Sequence, residues 1–147
     1  MQHNKLFSAA TIFCMIAFFL VSWMPSPMTV TNRSGIRLPM PITIMATYDN
    51  PDAPFTGGTF WTSGALMISG TATMAGNPNI NFKRAHCEII LTSADGTITI
   101  HQECNFATPT PQGRWEIVSS TGVYSGLRAN GSLTMPGNSD LMVGSIY

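Results

Sequence analysis

The sequence predicts an all-β domain: a single antiparallel sheet of eight strands closed into a barrel, preceded by an N-terminal signal or anchor helix. Three observations predict it. Beyond residue 41 the apolar residues recur with period two between Gly-, Pro- and Asn-rich turns, and no window sustains a helical period. Nearly every such run has one apolar and one polar face, which suits a sheet closed upon itself and leaves no exposed edge. The chain has 147 residues, 44% hydrophobic and only 10% charged. That is enough for one core, and too little charge for disorder, coiled coil or long solvated helices. A two-sheet sandwich has the same alternation and is the competing architecture.

Seven basic and seven acidic side chains give a formal charge of zero. Past the N-terminal segment the cations are Arg33, Arg37, Lys83, Arg84, Arg114 and Arg128, scattered apart from the Lys83-Arg84 pair. No basic excess exists to neutralise phosphates, so nucleic acid is excluded as a partner.

The chain divides into three parts. Residues 1–24 read as a signal peptide or membrane anchor: Met1 to Lys5 is short and weakly basic, and Leu6 to Met24 is apolar except for Ser8, Thr11 and Ser22. Such a run also just spans a bilayer, so cleavage and anchoring both stand, and the expected location is secreted, periplasmic or extracellular. Membrane contact is expected through residues 6–24 alone, and only where that segment stays uncleaved. Residues 25–41, rich in Pro, Ser, Thr and Met, read as a linker, and residues 42–147 as the barrel domain.

The first strand carries Ile42, Ile44, Ala46 and Tyr48 on one face and Thr43, Met45 and Thr47 on the other. A second covers Thr59 to Ser63. A third runs from Ala65 to Met74 with Leu66, Ile68, Ala72 and Met74 on one face, and Asn77-Pro78-Asn79 ends it. Later strands carry Trp115 and Ile117, then Leu133 and Met135, and finally Leu141, Val143 and Tyr147 on their apolar faces.

Between Arg84 and Phe106, Ser93-Ala94-Asp95-Gly96 separates two alternating runs, and Asp-Gly is a strong hairpin signal. With Asp95 and Gly96 as the loop residues, Leu91 faces Ile100, Ile89 faces Gln102, and Cys87 faces Cys104. The cysteines then form a close, non-hydrogen-bonded pair about 4.5 Å apart at Cα, the short end of the disulfide range. In an oxidising compartment this predicts a structural Cys87–Cys104 disulfide, against two buried free thiols. A longer loop would shift the register by two. Both cysteines share a face with Ile89, Leu91, Ile98, Ile100 and Phe106, whereas Glu88, His101, Glu103 and Asn105 fall on the other.

Chemistry-bearing motifs are scarce. His86 and His101 form no i,i+2 or i,i+4 pair with another ligand type on an inward face, so no metal is expected. Cys87 and His86 are strand neighbours on opposite faces and cannot act together. In the expected register Glu88 faces Glu103, which suggests an acid/base pair, but with His101, Lys83 and Arg84 near enough to compensate, a solvated or cation-balanced surface pair is the preferred reading. No nucleophile elbow, P-loop or dinucleotide fingerprint occurs, so no cofactor is expected.

The stretch from Gly113-Arg114-Trp115 through Gly122-Val123-Tyr124-Ser125-Gly126-Leu127-Arg128 to Gly131 resembles secreted bacterial proteins with an allene oxide cyclase barrel-like domain. More loosely it is similar to plant dirigent proteins. Gly58-Thr59-Phe60, Ala94-Asp95-Gly96-Thr97 and Gly144 extend the likeness over about residues 56 to 147. Ser120, Ala129 and Asn130 depart from the pattern. The resemblance implies an eight-stranded barrel whose relatives bind apolar small molecules and in some cases guide cyclisations. Gly122, Tyr124, Gly126, Leu127 and Arg128 are expected to form a structural turn, with Tyr124 and Leu127 plugging one barrel end.

The expected function is an exported barrel holding an apolar small molecule among Ile44, Tyr48, Leu66, Ile100, Gln102 and Trp115. A cyclase or isomerase of natural-product metabolism, acting by shape and hydrogen bonds, is the alternative. A structural module with a filled core is the third.

Overall fold

The computed structural model describes residues 38–50, 57–75, 79–81 and 83–147. The expected signal or anchor, most of the linker and the loop after Asn50 lie outside the described residues. No helix among the described residues is long and apolar enough to cross a membrane.

Among the described residues nine strands form one antiparallel sheet: β1 (Met40–Tyr48), β2 (Gly58–Gly64), β3 (Ser69–Met74), β4 (Asn79–Asn81), β5 (Arg84–Ser93), β6 (Gly96–Asn105), β7 (Gln112–Ser120), β8 (Ala129–Thr134) and β9 (Ser139–Ile146). Their order is β3-β2-β1-β9-β8-β7-β6-β5-β4, and a further β3–β5 pairing closes the ring. Eight strands make the barrel. The short β4 pairs with β5 at Arg84 to His86, beyond the point where β3 leaves it. The barrel is the expected one, and the sandwich is excluded because the hydrogen-bonded ring has no break between sheets.

The alternation read from β1 holds: Ile42, Ile44, Ala46 and Tyr48 are all buried, packed with Phe60, Ile89, Leu91, Ile98, Ile100, Trp115, Ile117, Leu133 and Met142 inside the ring. One residue breaks the period of β7. The β6–β7 register shifts between Thr99 and Ile100, so Val118 is an extra residue, and its side chain is exposed.

A turn covers one end of the barrel. A 3-10 turn at Gly122–Tyr124 follows β7, with Gly122 at φ +62° and Gly126 at φ +81°. It folds over the β5–β6 hairpin through the Val123 N–H donating to the Asp95 carbonyl. Tyr124 is buried with its hydroxyl 2.8 Å from Ser93 Oγ, and Leu127 packs against the core. Arg128 is exposed, and its backbone carbonyl accepts the Tyr147 N–H.

Six sequence expectations are corrected. The β5–β6 hairpin turns on Ala94-Asp95, not Asp95-Gly96, so Ser93 pairs with Gly96, Ile89 with Ile100, Cys87 with Gln102 and Ala85 with Cys104. Gly96 is needed one step later because a Cβ there would strike the Thr121 carbonyl of the plug. The cysteines are therefore diagonal rather than opposed, and both thiols are free. The same shift sets Glu88 against His101 and Glu103 against His86, which dissolves the expected carboxylate pair.

Leu66 lies in the β2–β3 connection rather than in a strand. Thr62 organises that connection: its Oγ1 donates to the Leu66 carbonyl at 2.7 Å and accepts from the Ile68 N–H at 2.9 Å. On β9 the inward residues are Asp140, Met142 and Ile146, so Val143 and Tyr147 face out, the reverse of the expected face. Phe106 follows the end of β6 and is exposed rather than inward.

Candidate functional site

The strand directions set the plug against the start of β6 and β8 and the end of β7 and β9. Tyr48 at the end of β1, Asp140 at the start of β9 and Cys104 near the end of β6 belong to the opposite end. Here the lumen turns polar. Tyr48 donates its phenol to Asp140 Oδ2 at 2.7 Å, and Gln102 Nε2 donates to the same oxygen at 2.9 Å. Gln102 Oε1 accepts from the Cys87 thiol at 3.3 Å, and its amide nitrogen also lies 3.5 Å from Met142 Sδ. The chain of contacts runs from neighbouring strands β1 and β9 across the lumen to β6 and β5.

Gln102 has no exposed surface and Asp140 is 1% exposed, so the centre of this network is shielded from solvent. Burial holds the Asp140 carboxyl above its ordinary range, although the hydrogen bonds from Tyr48 and Gln102 pull the other way. The Tyr48 phenol is raised far above its usual value, first by burial and then by Asp140. Burial also pushes the Cys87 and Cys104 thiols up to about 12, which makes both poor nucleophiles near neutral pH.

Two buried polar atoms have no hydrogen-bond partner among the described residues: Asp140 Oδ1 and Trp115 Nε1. Trp115 comes from β7, opposite Gln102 on β6 and Gly131 on β8. Its ring lies along the inner wall at Gly144, where a Cβ would come within 2.8 Å of Cζ2. The absence of a side chain at Gly144 is what gives the indole its place in a crowded core.

Of the six residues expected to line the lumen, Ile44, Tyr48, Ile100, Gln102 and Trp115 are buried in one cluster or its polar end. Leu66 packs against that cluster from the connecting segment. Asp140, the centre of the polar network, was not among them. Its signal was the alternative alternation of β9, in which Met142 and Ile146 share its face.

Outside the barrel, a depression of about 390 Å³ is lined by His101, Glu103, Arg114, Trp115, Glu116, Asn130 and Gly131. Arg114 Nε donates to Glu103 Oε2 at 2.6 Å, and this hydrogen bond holds the Glu103 carboxyl below its ordinary range. His86, His101 and Glu103 approach one another on this outer face. They lie on the polar faces of β5 and β6, so the inward alternation carries no signal of them.

No family model matches the chain, and neither the curated proteins nor the solved structures contain a match to it.

Proposed function

We propose that the barrel is an exported binding protein for a small, mainly apolar molecule carrying one polar group, held in the lumen with that group toward the Tyr48–Asp140–Gln102 end. The observation that carries this reading is the pair of buried, unpaired polar atoms, Trp115 Nε1 on one wall and Asp140 Oδ1 on another. An unsatisfied buried donor or acceptor costs about 1–3 kcal/mol. A donor and an acceptor inside one apolar lumen suit a ligand bearing a hydroxyl or carbonyl, which repays that cost on binding. Apolar walls from Ile44, Ile100, Leu133 and Met142 suit the rest of the molecule. Export is the part of the proposal that rests on residues 1–24, and the likeness to allene oxide cyclase barrel-like domains agrees with both parts.

The second reading, a cyclase or isomerase, is favoured by one feature. A carboxyl that stays protonated above its usual range can donate a proton to a bound substrate, with Tyr48 and Gln102 fixing its orientation.

Native mass spectrometry of the full-length protein purified from its own cells tests the binding reading. The expected result is a small-molecule adduct in wild type that is released on unfolding and depleted in Gln102→Leu. Adduct-free wild type across several preparations contradicts it and favours a filled core.

A further inference from the structure

We infer that His86, His101 and Glu103 form a binding site for a divalent transition-metal ion of the zinc type on the outer face of the barrel. The three side chains come from the most extensively paired part of the sheet. His86 on β5 is directly opposite Glu103 on β6, and His101 is two residues from Glu103 on the same strand, so all three project from one face. Their ligand atoms all lie within 4.8 Å of one another. Bonds of about 2.0–2.1 Å to a tetrahedral zinc need donors about 3.4 Å apart, a closure that side-chain rotation supplies without moving the strands.

The donors are not spent on each other. His86 Nδ1 is 3.7 Å from Glu103 Oε1, and His101 Nδ1 is 3.9 Å from Glu88 Oε1, both too long for hydrogen bonds. The imidazole centroids are 6.0 Å apart and the rings are tilted by 31° rather than stacked, which leaves room between them. Glu103 divides its two oxygens: Oε2 takes the Arg114 guanidinium at 2.6 Å, while Oε1 is the one toward His86. Arg114 thus fixes the carboxylate in place from the side away from the ion, as the groups that orient metal ligands commonly do.

The surrounding charge also suits a cation. His101 is flanked by Glu88 on β5 and Glu116 on β7. With Glu103 these are three carboxylates, set against Arg114 and against Arg84, two residues before His86 on the same face of β5. Two imidazoles and one carboxylate are a donor set that zinc accepts and that calcium and magnesium, which prefer oxygen alone, do not. Three protein ligands leave a position open, and His101 and Glu103 both border the outer depression, so water or a ligand's anionic group has access there.

The test uses full-length protein stripped with a chelator and titrated with Zn²⁺, and with Co²⁺ followed by its visible bands. One equivalent of cobalt with nitrogen and oxygen ligation is expected. His86→Ala, His101→Ala and Glu103→Gln should each weaken zinc binding by about 100-fold or more, beyond the roughly 10- to 100-fold of losing a group that merely orients a ligand. Glu88→Gln should weaken it by about tenfold, and Cys87→Ser with Cys104→Ser should leave it unchanged. These histidines are on the surface, so circular dichroism should show every outer-face variant folded. Zinc affinity unaltered in the His86→Ala, His101→Ala double variant overturns the proposal. So does a thiolate-to-cobalt charge-transfer band, or loss of binding in His3→Ala, a change at the third histidine of the sequence, which lies outside the described residues.

Discussion

The phenol of Tyr48 and the carboxyl of Asp140, 92 positions apart in sequence, meet at 2.7 Å inside the barrel. They sit on hydrogen-bonded neighbours: Asp140 is paired with Ala46, and Tyr48 is the next inward residue along β1. The first and last strands of the barrel are thus joined by a buried side-chain bond as well as by their ladder. Tyr48→Phe leaves the Asp140 Oδ2 with Gln102 as its remaining donor. The expected cost is about 1–3 kcal/mol of folding free energy, read by urea unfolding. A cost near zero would mean that the bond does not organise the closure.

Asp140 makes stability depend on pH in a definite direction. Its carboxyl is held above the ordinary 3.8, chiefly by burial. The folded protein therefore keeps a proton that the unfolded chain releases. This contribution is fully present below the unfolded value and is lost as pH rises through the folded one. Unfolding free energies measured from acid to neutral pH should show wild type losing stability relative to Asp140→Asn as pH rises. Parallel profiles would contradict the burial of an ionisable group at this position.

Cys87 and Cys104 should be reduced and slow to react. With both thiols raised to about 12 by burial, iodoacetamide near neutral pH should modify neither in the native protein and both after unfolding. Peptide mapping without reductant decides it. A Cys87–Cys104 linked peptide would show that the register of the β5–β6 hairpin differs from the one found.

The plug depends on Gly122 more than on Gly126. Both have positive φ, at +62° and +81°, but a Cβ on Gly122 would strike the Asp95 carbonyl, whereas one on Gly126 has nothing within 4 Å. Gly126→Ala should cost about 1 kcal/mol for its backbone conformation alone. Gly122→Ala should cost distinctly more because the hairpin must also move. Equal thermal shifts would mean that the turn is not pressed against the hairpin.

The barrel was legible because alternation survives in β1, β6 and the part of β7 that carries Trp115 and Ile117, where apolar residues leave one reading of which face is inward. It was misread in β9, where Leu141, Val143 and Tyr147 outbid Met142 and Ile146 in apolar count and a buried aspartate counted as a surface residue. Local pattern cannot weigh an acid whose partners, Tyr48 and Gln102, arrive from distant strands. The hairpin register failed for a related reason. Asp95-Gly96 signals a two-residue turn, but Gly96 answers instead to the plug that packs on it from Thr121 and Gly122. That two-residue slip hid both the free thiols and the meeting of His86 with Glu103.

In the proposed function Trp115 borders a ligand-accepting lumen, and its emission reports on that lumen. Full-length protein, with the Trp115→Phe variant subtracted to remove Trp23 and Trp61, is titrated with an apolar dye bearing one hydrogen-bonding group. Saturable quenching of Trp115 is expected at roughly micromolar dye, about 8 kcal/mol of binding, with selectivity among dyes altered by Gln102→Leu. Trp115 emission that stays unchanged through saturation, or saturable binding indifferent to changes at Trp115, Gln102 and Asp140, would contradict that function.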